Sequence, residues 1–414
     1  MRVSVDWRLS DPGLDTAQPS SQRQLAVALS AVPDGSGNAA VNLCLVLDRS
    51  GSMGGRALET VKAAVGEILD RLSPCDRISV VTFDHRAEVF IDNQPATDAE
   101  AIKQKVATLR AGGGTAIDEG LKYGIESVAK GKTDDTVSQI FLLTDGENEH
   151  GDNERCLKIA KLAAGYGITV SSLGFGDHWN QDVLEQIADA GGGSLTYIQR
   201  PESAVAAITT LFARVQSVGL TNAHLQLTLQ PGVRLAELKP VAQVQPETIE
   251  LDAQKDGSDA MAMVRLGDLM VDTARVVLAN VYLEQLPAGT HPIAAVQVRY
   301  DDPTQGRADL LSERLTVEIT AQPTYQPAPD PVVQQYILTL AKYRQTQIAE
   351  NKLKAGDRQG AVTMLQSAAK TAIQMGDQGA ATVLQENATQ LQAGKELSES
   401  ARKQTRIVSK TQLQ

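Results

Sequence analysis

Asp48, Ser50 and Ser52 occupy alternate positions at the end of the apolar run 41–47. A short apolar run with that ending reads as a buried parallel strand feeding a loop. An extended loop start points the three side chains the same way. One carboxylate and two hydroxyls converging on a point suit a hard divalent cation. Two later segments carry oxygen donors of the same kind. Thr115 follows Gly112, Gly113 and Gly114 and precedes a helical pattern that starts at Ala116; Asp145 stands between Thr144 and Gly146, after the apolar run 140–143. Ligands of parallel α/β sheets bind at the carboxyl ends of the strands, where all three segments fall. Each has an ordinary reading by itself: Asp48 or Thr115 as a helix cap, Asp145-Gly146 as a turn. Together, in this order, Asp48, Ser50, Ser52, Thr115 and Asp145 make a candidate metal site.

The elements around these residues alternate between strand and helix over 39–217. Apolar runs at 41–47, 78–83, 140–143 and 168–173 are separated by helical patterns near 55–72, 97–109, 116–130, 153–165, 179–190 and 202–216. That is an α/β domain with a doubly wound, mostly parallel, Rossmann-like sheet. Residues 87–91 follow the second strand closely and read as a short antiparallel edge. On either side the period changes to two. Val3, Val5, Trp7 and Leu9 alternate with polar residues, as do Leu225, Leu227 and Leu229 and further runs to Ile319. Turn signals, among them Pro33 to Asn38, Pro231-Gly232 and Asp256-Gly257, separate these strands. The N-terminal strands are too few to fold alone, so 1–38 and 218–322 are expected to form one β-sandwich in which the α/β domain is inserted. Helix 202–216 leads directly into the sandwich. A ligand could therefore change the angle between the two units, unless the junction is anchored at both ends.

A proline-rich linker spans 323–331, and 332–397 reads as a helical bundle. Gly356-Asp357 and Gly376-Asp377 mark two related turn-to-helix junctions, weakly similar to a tetratricopeptide unit; an ordinary bundle is the simpler reading. The segment 398–414 carries Arg402, Lys403, Arg406 and Lys410 and little apolar material. It is expected to be a disordered basic tail.

Composition narrows the function. A net charge of −11 lacks the basic surface of a nucleic-acid binder. No run approaches the ~18 apolar residues of a membrane span, and no apolar signal segment opens the chain. The three cysteines, Cys44, Cys75 and Cys156, have no ligand spacing and read as incidental thiols of a reducing, cytoplasmic compartment. Gly174-Phe175-Gly176 and Gly191-Gly192-Gly193 do not match a nucleotide-binding glycine pattern. The five histidines (His85, His150, His178, His224 and His291) are scattered, and neither Ser50 nor Ser52 has a visible base, so an enzyme is not expected. Asp118 and Glu119 fit the start of a helix by its dipole; Glu147, Glu149 and His150 follow the Asp145 loop and could line the rim of the site, a solvated loop being the simpler reading.

With these residues in place, the domain over about 40–217 resembles a von Willebrand factor type A domain, in its bacterial and calcium-activated-chloride-channel-like branch. The sandwich and helical tail resemble flanks of bacterial members only loosely. The three loops match the metal-ion-dependent adhesion site of that family, and all five ligand positions are filled. The resemblance implies direct coordination by Ser50, Ser52 and Thr115, with Asp48 and Asp145 bound directly or through water. It implies Mg²⁺ or Mn²⁺, with Ca²⁺ the poorer candidate, and a carboxylate of a partner protein completing the coordination. The expected function is a non-enzymatic, metal-dependent interaction scaffold. The alternative is an adaptor of an AAA+ ATPase of the chelatase or MoxR kind. Thr405 and Thr411 lie among basic residues, and Thr405 is followed three residues later by Val408. Phosphorylation there would create a ligand for a forkhead-associated domain.

Overall fold

The computed structural model describes residues 1–35, 37–255 and 260–411; Ser36, the Asp256-Gly257 turn signal and 412–414 lie outside the described residues. The chain opens with β1 (Arg2–Leu9), β2 (Gly13–Asp15) and β3 (Ser20–Val32). The α/β unit follows as β4 (Ala40–Asp48), α1 (Arg56–Leu69), β5 (Arg77–Phe83), β6 (Ala87–Pro95), α2 (Ala99–Ala107), α3 (Ile117–Gly131), β7 (Thr136–Thr144), α4 (Asn153–Gly165), β8 (Ile168–Phe175), α5 (Gln181–Gly191), β9 (Gly192–Ile198) and α6 (Ala204–Gln216). Strands resume with β10 (Val218–Leu229), β11 (Val233–Leu235), β12 (Val241–Gln245), β13 (Ile249–Leu251), β14 (Ala253–Lys255), β15 (Met261–Met270), β16 (Arg275–Glu284), β17 (Gly289–Asp302), β18 (Arg307–Leu311) and β19 (Leu315–Gln322). The helices α7 (Pro331–Lys354), α8 (Arg358–Gln374), α9 (Gln378–Gln392) and α10 (Glu399–Lys410) complete the described chain.

The α/β sheet has the order β6-β5-β4-β7-β8-β9, with only β6 antiparallel. β4 is central and buried at every position after Ala40. Its side chains alternate between faces, so each face needs a cover. Leu43, Leu45 and Leu47 pack under α1, α2 and α6; Cys44 and Val46 pack under α3, α4 and α5. The edge strand β9 escaped the sequence pattern because it begins Gly192-Gly193. Those glycines are steric: a Cβ on Gly193 would lie 2.2 Å from the Val170 carbonyl oxygen of β8.

β3 pairs with β16 along its length, which joins the first strands to those after the α/β unit. The two sheets of this sandwich, β1-β3-β16-β12-β13 and β14-β15-β10-β17-β19-β2, enclose one apolar core. The sandwich holds the amino end of the α/β sheet. Asp268 of β15 is buried and accepts from Gln139 Nε2 at 2.7 Å and Thr169 Oγ1 at 2.8 Å, near the starts of β7 and β8. The junction is thus tied by side chains as well as by the two chain crossings.

The proline-rich segment is strapped to the sandwich: Tyr325 Oη and the Ala328 amide donate to Asp11, at 2.5 and 2.8 Å. Asp330 caps α7, with Pro331 as its first residue. α7 then lies on the outer face of the first sheet, burying Val333, Leu340 and Tyr343 against Ala242, Val244 and Val276. The two glycine–aspartate junctions repeat one geometry. Gly356 and Gly376 both have φ of 79°, and Asp357 and Asp377 cap the next helices.

The expectation of a disordered tail fails over 398–411. Residues 399–410 form α10, capped by Ser398; it joins α7 and α9, with Val408 in the core of the helical bundle, and turns its basic face to α5. Lys403, Arg406 and Lys410 are spaced i, i+3, i+7 and so share one helix face. Asp182, Glu185 and Asp189 of α5 have the same spacing and receive them. Arg406 pairs with Asp182 and Glu185, and Lys410 with Glu185 at 2.6 Å and Asp189 at 2.9 Å. Lys403 donates to the Asp177 carbonyl at 2.6 Å and lies 4.0 Å from the Trp179 ring centroid. Burial alone would lower the Lys410 pKa, but Asp189 and Glu185 outweigh it and raise it. Thr405 is 8% exposed and bonded to Asn387 at 2.5 Å, so a kinase has no access to it in this fold. The Thr411 hydroxyl donates to the Ile407 carbonyl at 2.9 Å.

Three outcomes follow. Asp268→Ala strands two buried donors and is expected to cost about 2–4 kcal/mol in urea denaturation; Asp268→Asn keeps an oxygen for both and costs at most about 1 kcal/mol. Arg406→Ala is expected to speed amide exchange of 399–410 at least about tenfold. Burial raises the Asp182 carboxyl, but Arg406 and Lys354 outweigh it and hold it below its ordinary value. Its contribution to docking is therefore present above about pH 4 and lost as pH falls through the lowered value. Protection of α10, corrected for intrinsic exchange, should fall over that acid range.

Candidate metal centre

The central strand β4 delivers Asp48 to the carboxyl edge with no exposure at all. One of its oxygens accepts from the Ser50 amide at 2.7 Å and the other from Thr144 Oγ1 at 2.5 Å. The first bond turns the chain, and the second ties β4 to β7. Ser50 Oγ lies 3.1 Å from Ser52 Oγ, and Ser52 Oγ donates to Asp145 Oδ1 at 2.7 Å. Thr115 is buried, and a Cβ on Gly146 would lie 3.3 Å from its Oγ1. The structure thus brings all five sequence-derived residues to one place.

Backbone bonds stitch the three loops. The Gly51 amide donates to the Gly113 carbonyl at 3.0 Å, and the Gly112 amide to the Arg49 carbonyl at 2.8 Å. The His150 amide donates to the Thr115 carbonyl at 2.9 Å. Gly113 has φ of 88°, and a Cβ there would meet Asp84 and His85 at 2.9 Å, so the loop requires glycine at that position. Thr115 is not the cap of α3. Asn148 Oδ1 takes that role by accepting from the Ile117 amide at 2.7 Å, which releases the Thr115 hydroxyl from capping. Arg49 turns away from the centre to pair with Asp84 at 3.0 Å.

Burial pushes the Asp48 carboxyl up to about 6, against the bonds from Thr144 and Ser50, and the Asp145 charge adds to the rise. Burial likewise raises Asp145, although Ser52 and the nearby His178 oppose it. Among the described residues neither carboxylate has an ion pair with a lysine or arginine. A fully buried carboxylate beside a half-buried one, with no lysine or arginine paired to either, is costly, and a divalent cation would supply the missing charge. The donor set is oxygen throughout, two carboxylates and three hydroxyls, which fits Mg²⁺ or Mn²⁺ rather than a softer metal. The described residues contain no cluster of three or more His, Cys, Asp or Glu side chains that could hold a metal. Hydroxyls are therefore essential to any coordination here.

A family model for the von Willebrand factor type A domain matches residues 42–211, and one for the Sll0103-like C-terminal alpha-helical domain matches 331–414. Protein sll0103 of Synechocystis is 59% identical over 415 residues, covering 100% of this chain and 98% of that one. The chain is a von Willebrand factor type A protein. Its fold agrees along the whole length with the von Willebrand factor type A structure from Catenulispora acidiphila, with a TM-score of 0.82 at 19% identity over 99% of this chain and 97% of the other. Calcium-activated chloride channel regulator 1 of Bos taurus is 31% identical over 193 residues, 45% of this chain and 20% of that protein. This chain thus spans about a fifth of that relative's length. No helix among the described residues is long and apolar enough to cross a membrane.

Sequence reading missed part of the type A site's rim. His150 covers Gly114, where a Cβ would fall 2.3 Å from the ring; His85 lies against Gly113; His178 interacts electrostatically with Asp145. The place of His150 shortly after Asp145 left a rim position open in the sequence; His85 and His178 come from other loops, and no local spacing marked them. α10 was the second omission: Lys403 reaches the Asp177–Trp179 loop beside the same edge. Its signal, the matched charge spacing on α5 and α10, was present in the sequence.

Asp48→Asn keeps an oxygen for the Ser50 amide, turns its NH₂ to the Thr144 hydroxyl, which can accept, and removes the desolvated charge. In chelator this variant is expected to melt at or above the wild-type temperature. A fall of several degrees would mean that Asp48 serves the fold rather than a cation.

Proposed function

We propose that this protein is a non-enzymatic, metal-dependent interaction scaffold. Asp48, Ser50, Ser52, Thr115 and Asp145 would hold one Mg²⁺ or Mn²⁺, and an acidic side chain of a partner protein would complete the coordination. The observation that carries this reading is the convergence of five hard oxygen donors from three loops, two of them the carboxylates of buried Asp48 and half-buried Asp145, which have no lysine or arginine partner among the described residues. Mg²⁺ requires about six oxygen ligands in near-octahedral order, so five donors leave room for one more; Ca²⁺, with six to eight, is served less well. When bound, the ion supplies an electrophilic position for a carboxylate oxygen. The chain's own residues set that property: three of the five donors are neutral hydroxyls, which leave the ion's charge incompletely neutralised. The opposite end of the sheet is covered by the sandwich, so the metal edge is the face turned to a partner.

The three unpaired cysteines, with Cys44 and Cys156 buried and Cys75 exposed, support placement in a reducing cytoplasm. The forkhead-associated partner loses its basis with the burial of Thr405, and the ATPase-adaptor reading gains support from no particular contact.

Titration of the chelator-treated protein with MgCl₂ or MnCl₂ in a calorimeter tests the proposal. Saturable binding is expected, together with a higher melting temperature in excess metal. Asp48→Ala and Thr115→Ala should each weaken binding at least about tenfold, as loss of a metal-oriented ligand does. Unchanged metal affinity in both variants would sink the proposal.

A further inference from the structure

Between α4, the α5–β9 junction and the outer face of the sheet that contains β10, β15 and β17 lies a cleft of about 740 Å³. Clefts of ~300–1,000 Å³ accommodate small molecules. This one is remote from the metal edge and has its own chemistry. His224 of β10 stands directly opposite Arg265 of β15 on one side and Arg299 of β17 on the other. Residues opposed across adjacent strands project from the same face. An imidazole flanked by two guanidiniums therefore forms a row across three strands, and all three side chains line the cleft.

The hydrogen-bond inventory shows what the row lacks. Arg299 Nη1 reaches Asp309 at 3.2 Å. Its Nε is buried without a hydrogen-bond partner. Its Nη2 lies 3.4 Å from His224 Nδ1, but Nδ1 is 2.8 Å from the Asn222 carbonyl oxygen. A carbonyl only accepts, so Nδ1 carries the proton and cannot accept from Arg299. The Nε–Nη2 edge of Arg299 is therefore without an acceptor. That edge is the fork with which arginine grips a carboxylate or phosphate through two parallel bonds. Arg265 uses Nη2 on the Ala164 carbonyl at the end of α4, at 2.8 Å. Arg275, also lining the cleft, has a buried Nε without a partner. Buried donors left unpaired cost free energy that an arriving acceptor recovers.

The carboxylates near the cleft offset this charge only in part: Asp309 pairs with Arg299 through Nη1 alone, and Asp268 lies near Arg265. Asp189 is held by Lys410 at 2.9 Å and Glu250 by Arg344 at 2.8 Å. Asp252 is the remaining carboxylate of the lining.

We propose that this cleft binds a small anion bearing phosphate or carboxylate groups. The Nε–Nη2 edge of Arg299 is its main anchor, with Arg265 and His224 beside it. One wall belongs to the α/β domain, through Ala164, Gly192 and Gly193, and the floor belongs to the sandwich. An occupant would therefore tie the two units together at a point distinct from Asp268.

The test is calorimetric titration of the full chain, stripped of metal on a chelating resin and kept in buffer free of any chelator, with inorganic phosphate and, separately, with citrate, so that the metal site plays no part. Saturable binding of either probe is expected at millimolar concentration or below. Binding of phosphate alone assigns a phosphate-bearing ligand, and binding of citrate alone assigns a polycarboxylate. Arg299→Gln should weaken binding at least about tenfold, the effect of losing a charge-assisted pair. Arg299→Lys should weaken it as well, because the charge stays but the fork is lost, and it replaces Arg299→Gln should that variant fail to fold. Arg56→Gln, at an arginine whose side chain is 88% exposed on α1, controls for net charge and should bind as wild type. Absence of binding by both probes, or wild-type affinity in the folded Arg299 variants, would overturn the proposal. Because no divalent metal is present, neither result bears on the metal-dependent function.

Discussion

The molecule is organised around a carboxylate at the end of its most apolar strand. β4 is buried throughout because it sits in the middle of a sheet covered on both faces. Its last residue is Asp48, which is as inaccessible as the leucines before it. A charge at such a position needs every bond it can obtain, and the surrounding loops are shaped by that need. Thr144 at the end of β7 donates to one oxygen, and the Ser50 amide turns back to the other. The glycines at 112–114 let the second loop approach closely enough for backbone bonds to Arg49 and Gly51. The hydroxyls of Ser50, Ser52 and Thr115 gather beside Asp48 and Asp145 as a consequence of this closure. A site assembled this way is pre-organised, since its donors are held by the same bonds that end the strands.

The other end of the sheet is settled by a different device. Asp268 reaches from the sandwich to the starts of β7 and β8 and is satisfied there by two neutral donors. Insertion of the α/β unit between β3 and β10 already fixes its two ends in space. The buried bonds at Asp268 add orientation to that attachment. Free hinging of the two units is therefore opposed by side-chain contacts as well as by chain connectivity, and any coupling from the metal edge to the sandwich has to work against them.

The C-terminal helices close the assembly by charge matching. α7 lies on the sandwich through apolar contacts, whereas α10 lies on α5 through a basic face against an acidic one. A segment with so few apolar residues does not fold by itself, because burial cannot offset the entropy of ordering it. It folds here because Val408 joins the core of α8 and α9, α5 presents carboxylates at the same helical spacing, and Trp179 offers its ring to Lys403. The low apolar content was read correctly, and the conclusion drawn from it was mistaken. The partner surface lies more than two hundred residues away in the same chain.

The sequence by itself determined most of the local elements and which oxygen donors stand at the strand ends. Periods of two and 3.6 separate sandwich, α/β unit and helices, because burial of one face imposes those spacings on any chain. Asp48, Ser50, Ser52, Thr115 and Asp145 were legible because strand ends in a parallel sheet must share one edge. Tertiary structure alone decided what depends on distant pairs. The strand at Gly192 is hidden by glycines that make sense only against Val170. The rim histidines come together from three loops. The order of α10 comes from α5, and the row of Arg265, His224 and Arg299 comes from the register of three strands. In each case the deciding quantity is a distance between residues remote in sequence, which periodicity along one segment does not encode.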